Sequence, residues 1–159
     1  MCGKKFNASD ANDEKDANVC APCALCAFCV KKTMTENELS RQIYECAIET
    51  HRTLGGPGLL ESVYEEAFVY ELNQRGVKVA RQVQLPIHYK GVTLASPLRI
   101  DVIVGDLVIV ECKAVAQYNA IFEAQTLTYL RLTGLKLGLV INFGEKMVKN
   151  GIHRVVNGL

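Results

Sequence analysis

The sequence has no hydrophobic run long enough to cross a membrane, and its charges almost cancel. None of its apolar stretches reaches the roughly 20 residues that a transmembrane helix needs. Asp10, Asp13, Glu14 and Asp16 lie where a signal peptide would have a basic and then an apolar region. We therefore expect a cytoplasmic protein with reduced thiols and no membrane contact. The formal net charge is +1, so a nucleic-acid partner would need a local basic patch.

The composition indicates one folded domain preceded by a different kind of segment. Hydrophobic residues make up 49% of the 159 residues and charged residues 22%, which is typical of a globular domain with a core. The composition changes near residue 34, because residues 1–33 hold five of the seven cysteines and show almost no periodic pattern. We predict a poorly ordered N-terminal tail over residues 1–33 and one domain over residues 34–159.

Hydrophobic periodicity in this domain predicts a mixed α/β fold. Thr35 and Glu38 have the spacing of a capping box, which predicts a helix start at residue 35. The LGGPG stretch separates this helix from the next one, for which Gly76 is the expected C-cap. The predicted helices span residues 35–54, 59–75 and 121–132. The predicted strands span residues 77–85, 87–94, the hairpin 99–113, 136–143 and 152–156. Residues 87–94 are expected to extend the strand 77–85 or to pair with it around Lys90–Gly91.

The predicted hairpin, RIDVIVGDLVIVECK, carries charges inside two runs of β-branched residues. Burying an unpaired charge is unfavourable by several kcal/mol, so such strands rarely contain Asp, Glu or Lys. A two-residue turn at Gly105–Asp106 would set Asp101 opposite Val110, on the face away from Glu111. A three-residue connection or a bulge would set Asp101 opposite Glu111. The sequence leaves both registers open.

Two opposed carboxylates would repel each other unless a cation lies between them or one of them is protonated. A hard divalent ion with oxygen ligands would meet this need. Lys113 would then lie where it could hold or activate a water against a phosphate. The alternative is a chance acid-x-Lys pattern, in which Lys113 forms a structural ion pair or the charges are solvated.

Four segments, GPGLLESVY, RID, VECKAV and EAQTLTYL, together resemble the GxxExxY family, which is counted among the PD-(D/E)xK nuclease-like superfamily. The motif that names the family appears as Gly58, Glu61 and Tyr64, and the resemblance covers about residues 35–157. It implies a restriction-endonuclease-like αβββαβ core, in which helices flank a central mixed sheet. Members are mostly inferred nucleases, so the resemblance implies a Mg²⁺-dependent nuclease that acts on DNA. The alternative is a nucleic-acid or protein-binding module that has kept the fold.

The resemblance also implies roles for particular residues. Asp101, Glu111 and Lys113 match the metal-and-water triad, in which Asp101, Glu111 and the backbone carbonyl of Cys112 would bind Mg²⁺ or Mn²⁺. Glu61 matches an acid on the preceding helix. The alternative for Glu61 is an ordinary surface acid. The side chain of Cys112 alternates with the site residues and is expected in the core.

On the helix after the triad, Gln125 and Tyr129 match a supporting polar pair of the superfamily. The two residues are four apart, so they lie on one face of the predicted helix. The alternative is an ordinary half-buried polar pair with no role in a site.

The tail contains a second candidate site, the run CAPCALCAFC. Cys20, Cys23, Cys26 and Cys29 follow one another at a spacing of three, and four thiolates can bind zinc or an iron–sulfur cluster. The run is similar to the spacing of bacterial ferredoxins, but two residues rather than three precede its last cysteine and no proline follows. A zinc or redox protein centred on this run is therefore a third hypothesis, and a tail without a metal is its alternative.

Overall fold

The computed structural model describes residues 34–158 of the protein. The predicted tail, with Cys20, Cys23, Cys26 and Cys29, lies outside the described residues, so metal binding by these cysteines stays a prediction. The described helices are α1 (Glu36–Thr53), α2 (Glu61–Gln74) and α3 (Ile121–Thr133), with a 3₁₀ turn at Val148–Asn150. The strands are β1 (Val79–Leu85), β2 (His88–Tyr89), β3 (Val92–Thr93), β4 (Leu98–Val104), β5 (Val108–Lys113), β6 (Leu137–Asn142) and β7 (Ile152–Val156).

Five of the strands form one mixed sheet in the order β1-β4-β5-β6-β7. Strands β5 and β6 are parallel and are connected through α3, whereas the other neighbours are antiparallel. Strands β2 and β3 pair with each other around Lys90–Gly91 as a separate sheet, so the prediction that residues 87–94 extend the preceding strand or pair with it is wrong. The arrangement confirms the predicted α/β fold, with a central mixed sheet flanked by helices. Within residues 34–158, no helix is both long and apolar enough to span a bilayer.

The first helix begins where the sequence predicts. The hydroxyl of Thr35 accepts a hydrogen bond from the Glu38 amide at 3.3 Å, and the Glu38 carboxylate accepts one from the Thr35 amide at 2.9 Å. This capping box satisfies two backbone donors that the helix itself leaves unpaired. Leu39 and Ile43 then lie on the buried side of the helix, so the start of α1 and its packing are set by the same few residues.

The sheet separates two apolar layers. Helices α1 and α2 pack against one face with Val102, Val110 and Cys112 of β4 and β5, and the predicted core position of the Cys112 side chain is confirmed. Helix α3 packs against the opposite face with Ile109 and Val140. Both faces of β5 and β6 are therefore covered, as is usual for parallel neighbours in an α/β sheet.

Two predicted element starts are wrong by two residues. Helix α2 begins at Glu61 rather than at residue 59, because Gly58 has φ +115° and Leu60 is still extended. Strand β1 begins at Val79 rather than at residue 77, because the amide of Val77 donates to the carbonyl of Leu72 at 3.1 Å and so closes the end of α2. Hydrophobic periodicity identifies the apolar face of an element, but it does not identify the residue at which the backbone hydrogen bonds of that element begin or end.

Candidate active site

Asp101 and Glu111 each lie one residue beyond the last pair of the ladder between β4 and β5. Val102 pairs with Val110 and Val104 with Val108, so the connection between β4 and β5 is the three-residue stretch 105–107. Gly105 and Asp106 both have positive φ, of 61° and 59°, which lets so short a connection reverse the chain. The three-residue connection was one of the two predicted alternatives and is confirmed, whereas the two-residue turn is wrong.

The carboxylate of Asp101 is 7% exposed and is tied to the strand beside it. Its Oδ2 accepts a hydrogen bond from the amide of Cys112 at 3.1 Å. Burial raises the pKa of Asp101, and the Cys112 amide and the charge of Lys113 partly oppose that rise. Asp101 is thus a buried acid with one fixed oxygen.

Glu111 is buried more deeply, at 2% exposure, and only one of its oxygens is paired. Its Oε1 accepts a hydrogen bond from Nζ of Lys113 at 2.8 Å, whereas Oε2 is buried and has no hydrogen-bond partner among the residues that the structure describes. Burial and the neighbouring charge of Asp101 raise the pKa of Glu111 to about 7, against the opposing effect of Lys113. One ammonium therefore does not fully compensate the acids at this site.

Lys113 is the last residue of β5 and its side chain is 13% exposed. Burial alone would lower its pKa, but the hydrogen bond to Glu111 and the charges of Glu111, Glu61 and Asp101 outweigh burial and raise it. Its Nζ also lies 5.5 Å from the ring centroid of Phe122 on α3, within the range of a cation–π contact. Lys113 is thus an ammonium whose charged form is favoured by its neighbours, and it lies between acids and an aromatic ring.

Glu61, the first residue of α2, is the most accessible acid of the group, with a side chain 45% exposed. Its Oε1 lies 4.0 Å from Nζ of Lys113. Partial burial and the charge of Asp101 raise its pKa, and the charge of Lys113 lowers it. The fold thus brings Glu61 to the same charged cluster as Asp101, Glu111 and Lys113.

Tyr64 fixes the turn before α2, which holds Glu61 in place. Its hydroxyl donates to the carbonyl of Gly56 at 2.7 Å and accepts from the amide of Leu59 at 3.2 Å. Its ring is buried and stacks on Phe143, with centroids 4.9 Å apart. The tyrosine of the Gly58–Glu61–Tyr64 motif therefore fixes the turn rather than contacting the charged cluster.

Gln125 and Tyr129 form one pair on α3, as the spacing predicts. The amide nitrogen of Gln125 donates to the hydroxyl of Tyr129. Burial raises the pKa of Tyr129, and the charges of Glu111 and Asp101 raise it further, so the hydroxyl lies within electrostatic reach of both acids. Among the described side chains, however, no hydrogen bond joins this pair to the acids or to Lys113.

The backbone carbonyl of Cys112 lies on the β4 side of its strand. Successive residues of a strand direct their N–H and C=O groups to opposite neighbours. The carbonyl of Lys113 accepts from Phe143, on the β6 side, and the amide of Cys112 donates to Asp101, on the β4 side. The Cys112 carbonyl therefore faces the β4 side as well, where the predicted metal site would need it.

The donor set has the chemistry of a Mg²⁺ site but is not a complete cage. Across residues 34–158, no three His, Cys, Asp or Glu side chains are grouped as a metal site. Mg²⁺ commonly takes only one or two carboxylates and keeps several waters. The unpaired Oε2 of Glu111, with Asp101 and the Cys112 carbonyl beside it, fits that sparser pattern.

Sequence reasoning missed two residues beside this cluster, Phe122 and Gln82. Phe122 contacts Lys113 only because α3 returns across the sheet, and the sequence shows it simply as an apolar helix residue. Gln82 has φ +51° inside β1, opposite Asp101. No sequence pattern marks that position, since its neighbours alternate as in a regular strand.

Comparison with known proteins identifies the family. The family model of the PD-(D/E)XK nuclease superfamily matches residues 37–155, which includes all three helices, the whole sheet and the charged cluster, apart from the first residue of α1 and the last of β7. No curated protein and no solved structure matches the chain significantly. Membership of the narrower GxxExxY family stays a prediction. With a matching family model over most of its length and the expected fold, the chain belongs to the PD-(D/E)XK nuclease superfamily.

Proposed function

We propose that the chain hydrolyses phosphodiester bonds in DNA with Mg²⁺ or Mn²⁺ bound at Asp101 and Glu111. The observation that carries this proposal is the buried Oε2 of Glu111, which has no hydrogen-bond partner in the described chain although a second buried acid lies beside it. A buried carboxylate oxygen without a partner is unfavourable, and a divalent cation would supply the partner. Superfamily membership supports the same chemistry, because these nucleases generally use divalent metals.

Asp101, Glu111 and the carbonyl of Cys112 would hold the ion, and Glu61 would add a ligand or hold a water. When bound, the ion would supply positive charge to a phosphate oxygen and lower the pKa of a water. Lys113 keeps its proton, because its pKa is raised, so it would donate a hydrogen bond to the attacking water or to the phosphate. Its charge would offset the negative charge that develops as the bond breaks. Gln125 and Tyr129 would provide the polar side chains that line the site on the side of α3.

A cleavage assay tests the proposal directly. The purified chain is incubated with plasmid DNA, single-stranded DNA and RNA of the same sequence, with Mg²⁺, with Mn²⁺ and with a chelator. We expect cleavage of DNA that the chelator abolishes. Cleavage of RNA alone would contradict the assignment of DNA as the substrate.

A nucleic-acid or protein-binding module without turnover is the second candidate, and the charge balance favours its protein-binding form. Residues 34–159 contain 13 basic and 13 acidic residues, so no general basic field draws nucleic acid to the domain. Retention of DNA on the protein, without cleavage under any metal condition, would support the nucleic-acid-binding form and contradict hydrolysis.

The affinity for Mg²⁺ is expected to increase with pH. Glu111 must lose its proton to bind a cation, and with a pKa of about 7 it is mostly protonated at pH 6 and mostly ionised at pH 8. The affinity should therefore be about tenfold higher at pH 8 than at pH 6 by calorimetric titration. Glu66→Gln, which removes an exposed acid of α2, is the matched control and should leave this pH dependence unchanged.

The same raised pKa predicts the sign of a stability effect without metal. The unfolded chain ionises Glu111 in the ordinary carboxyl range, whereas the folded chain holds the proton up to about pH 7. The contribution of this group to the free energy of unfolding is therefore present at low pH and is lost as the pH rises to about 7. Equal Mg²⁺ affinities at pH 6 and pH 8 would contradict the expectation that Glu111 binds the ion with a pKa of about 7.

A further inference from the structure

Strand β1 contains a break in its regular geometry directly opposite Asp101. Arg81 pairs with Val102 and Val83 with Ile100, so Gln82 faces Asp101, yet these two residues do not form a ladder pair. On the other side of Asp101, toward β5, the pairing of β4 with β5 stops at Val102. Asp101 therefore has no ladder partner in either neighbouring strand among the described residues, and ordinary sheet pairing does not fix its position.

Strands β1 and β4 both turn over at this point, so that their side chains before and after it lie on opposite faces of the sheet. Residues two apart in a regular strand lie on the same face of the sheet. Val102, however, packs in the layer of α1 and α2, whereas Ile100 packs in the layer of α3. Strand β1 follows the same course, because Val79 packs in the first layer and Val83 in the second. The strand pair thus turns over at the level of Gln82 and Asp101.

The backbone of Gln82 makes the turnover possible. Its φ of +51° is a left-handed conformation that residues with a side chain rarely adopt within a strand. The other two non-glycine residues with positive φ among those described, Lys90 and Asp106, lie in hairpin turns, where this conformation is ordinary. Gln82 alone combines positive φ with a place inside a seven-residue strand.

A buried acid holds the kink to the helix that carries Glu61. Glu65, one turn after Glu61 on α2 and 5% exposed, accepts hydrogen bonds from Nε2 of Gln82 at 2.6 Å and from Nε of Arg81 at 2.9 Å. The Oε1 of Gln82 is buried and has no hydrogen-bond partner within residues 34–158, which is a second unfavourable feature at the same residue. Such features persist where the surrounding structure enforces them, and they cluster at functional sites.

We propose that Gln82 is a positioning residue, whose left-handed backbone, held by Glu65, sets the place of the Asp101 carboxylate. The kink takes Asp101 out of both ladders, so its side chain reaches across to the amide of Cys112 beside Glu111. That this carboxylate binds a cation rests on the proposed function, whereas its placement by Gln82 does not.

The test uses the hydrogen bond from the Cys112 amide to Asp101 as a readout that needs neither metal nor activity. Gln82→Val carries a β-branched side chain that avoids positive φ, and Gln82→Gly adopts it freely. In the metal-free protein at one pH, we expect the Cys112 amide of Gln82→Val to move upfield and to exchange about tenfold faster. Gln82→Gly should keep the chemical shift and the exchange rate of the wild type, because glycine accepts positive φ and Arg81 still donates to Glu65.

Gln84 supplies the matched control, because it lies in the same strand at a regular position paired with Arg99. Gln84→Val and Gln84→Gly should both leave the Cys112 amide unchanged. An unchanged amide in Gln82→Val, or equal changes in Gln82→Val and Gln82→Gly, would overturn the proposal. If Gln82→Val does not fold, Gln82→Ala takes its place, because alanine also disfavours positive φ. The Cys112 amide of Gln82→Ala is then compared with that of Gln82→Gly.

Mg²⁺ titration of the same proteins separates this inference from the proposed function. We expect Gln82→Val to bind Mg²⁺ about tenfold more weakly than Gln82→Gly. If the wild type binds neither Mg²⁺ nor Mn²⁺, the proposed function fails, while the Cys112 amide still decides whether Gln82 places Asp101.

Discussion

Replacing Lys113 by methionine is expected to lower the rate of DNA hydrolysis by about 100-fold or more while Mg²⁺ binding persists or tightens. The ammonium lies 2.8 Å from Oε1 of Glu111, so in the metal-free protein it occupies the neighbourhood that a cation would share. Its removal leaves Asp101 and Glu111 without a competing positive charge. It also removes the group that would offset charge at the phosphate. Binding and turnover should therefore change in opposite directions.

The measurement pairs a calorimetric Mg²⁺ titration with single-turnover cleavage rates, both at pH 8 or above. The high pH matters because the hydrogen bond from Lys113 helps to lower the pKa of Glu111, and without it the proton would compete more strongly with the cation. Lys136→Met is the matched control, since Lys136 is exposed and precedes β6 at the end of the sheet away from Lys113. A less stable Lys113→Met protein with unchanged metal binding and unchanged cleavage would identify Lys113 as a structural ion-pair partner only.

The amide variants Asp101→Asn and Glu111→Gln are each expected to weaken Mg²⁺ binding by about 100-fold, because each removes a full negative charge from an oxygen-ligand site of low exposure. Both variants keep the shape of the side chain. In Asp101→Asn the amide oxygen can still accept from the Cys112 amide, so the local fold should survive. Cleavage should fall with binding, which distinguishes these variants from Lys113→Met.

Asp106→Asn makes the same chemical change in the connection between β4 and β5, and is the control for the amide variants. Asp106 is exposed and pairs with Lys78 at 2.6 Å, outside the charged cluster. Asparagine tolerates its positive φ, so this variant should bind Mg²⁺ as the wild type does. Negligible heats for the wild type and for all variants alike would remove the assignment of Asp101 and Glu111 as metal ligands.

The sequence predicted the order of helices and strands because each element carries its own local signal. Thr35 and Glu38 mark the start of α1, Gly134 ends α3 with φ +74°, and the apolar alternation marks β4 and β5. The sequence also identified the charges of the hairpin as exceptional, since strands of valine and isoleucine gain nothing from isolated acids. Those signals were sufficient for the order of the elements and for the charges of the hairpin, whereas Glu61, Gln125 and Tyr129 were predicted only through the resemblance to the GxxExxY family.

The remaining features depend on contacts that no local pattern records. Val79, Arg81, Val83 and Leu85 alternate as in a regular strand, so the left-handed backbone of Gln82 was not predictable. The contact of Phe122 with Lys113 depends on how α3 lies on the sheet. The hairpin register was limited to two alternatives by the alternation of side chains, and the choice between them depended on backbone conformation at Gly105 and Asp106.

The three-residue connection between β4 and β5 has a consequence for how this hairpin tolerates changes of length. An inserted residue can bulge into solvent beyond the pair Val104–Val108, and the strands need not move. A deletion within residues 105–107 leaves a two-residue connection, which can still join Val104 to Val108 as a tight hairpin turn. A deletion within β5 between Val108 and Glu111 is different, because it shifts the register by one residue and turns Glu111 away from Asp101. Natural relatives with this hairpin should therefore vary in the length of the connection and keep the number of strand residues between it and each acid.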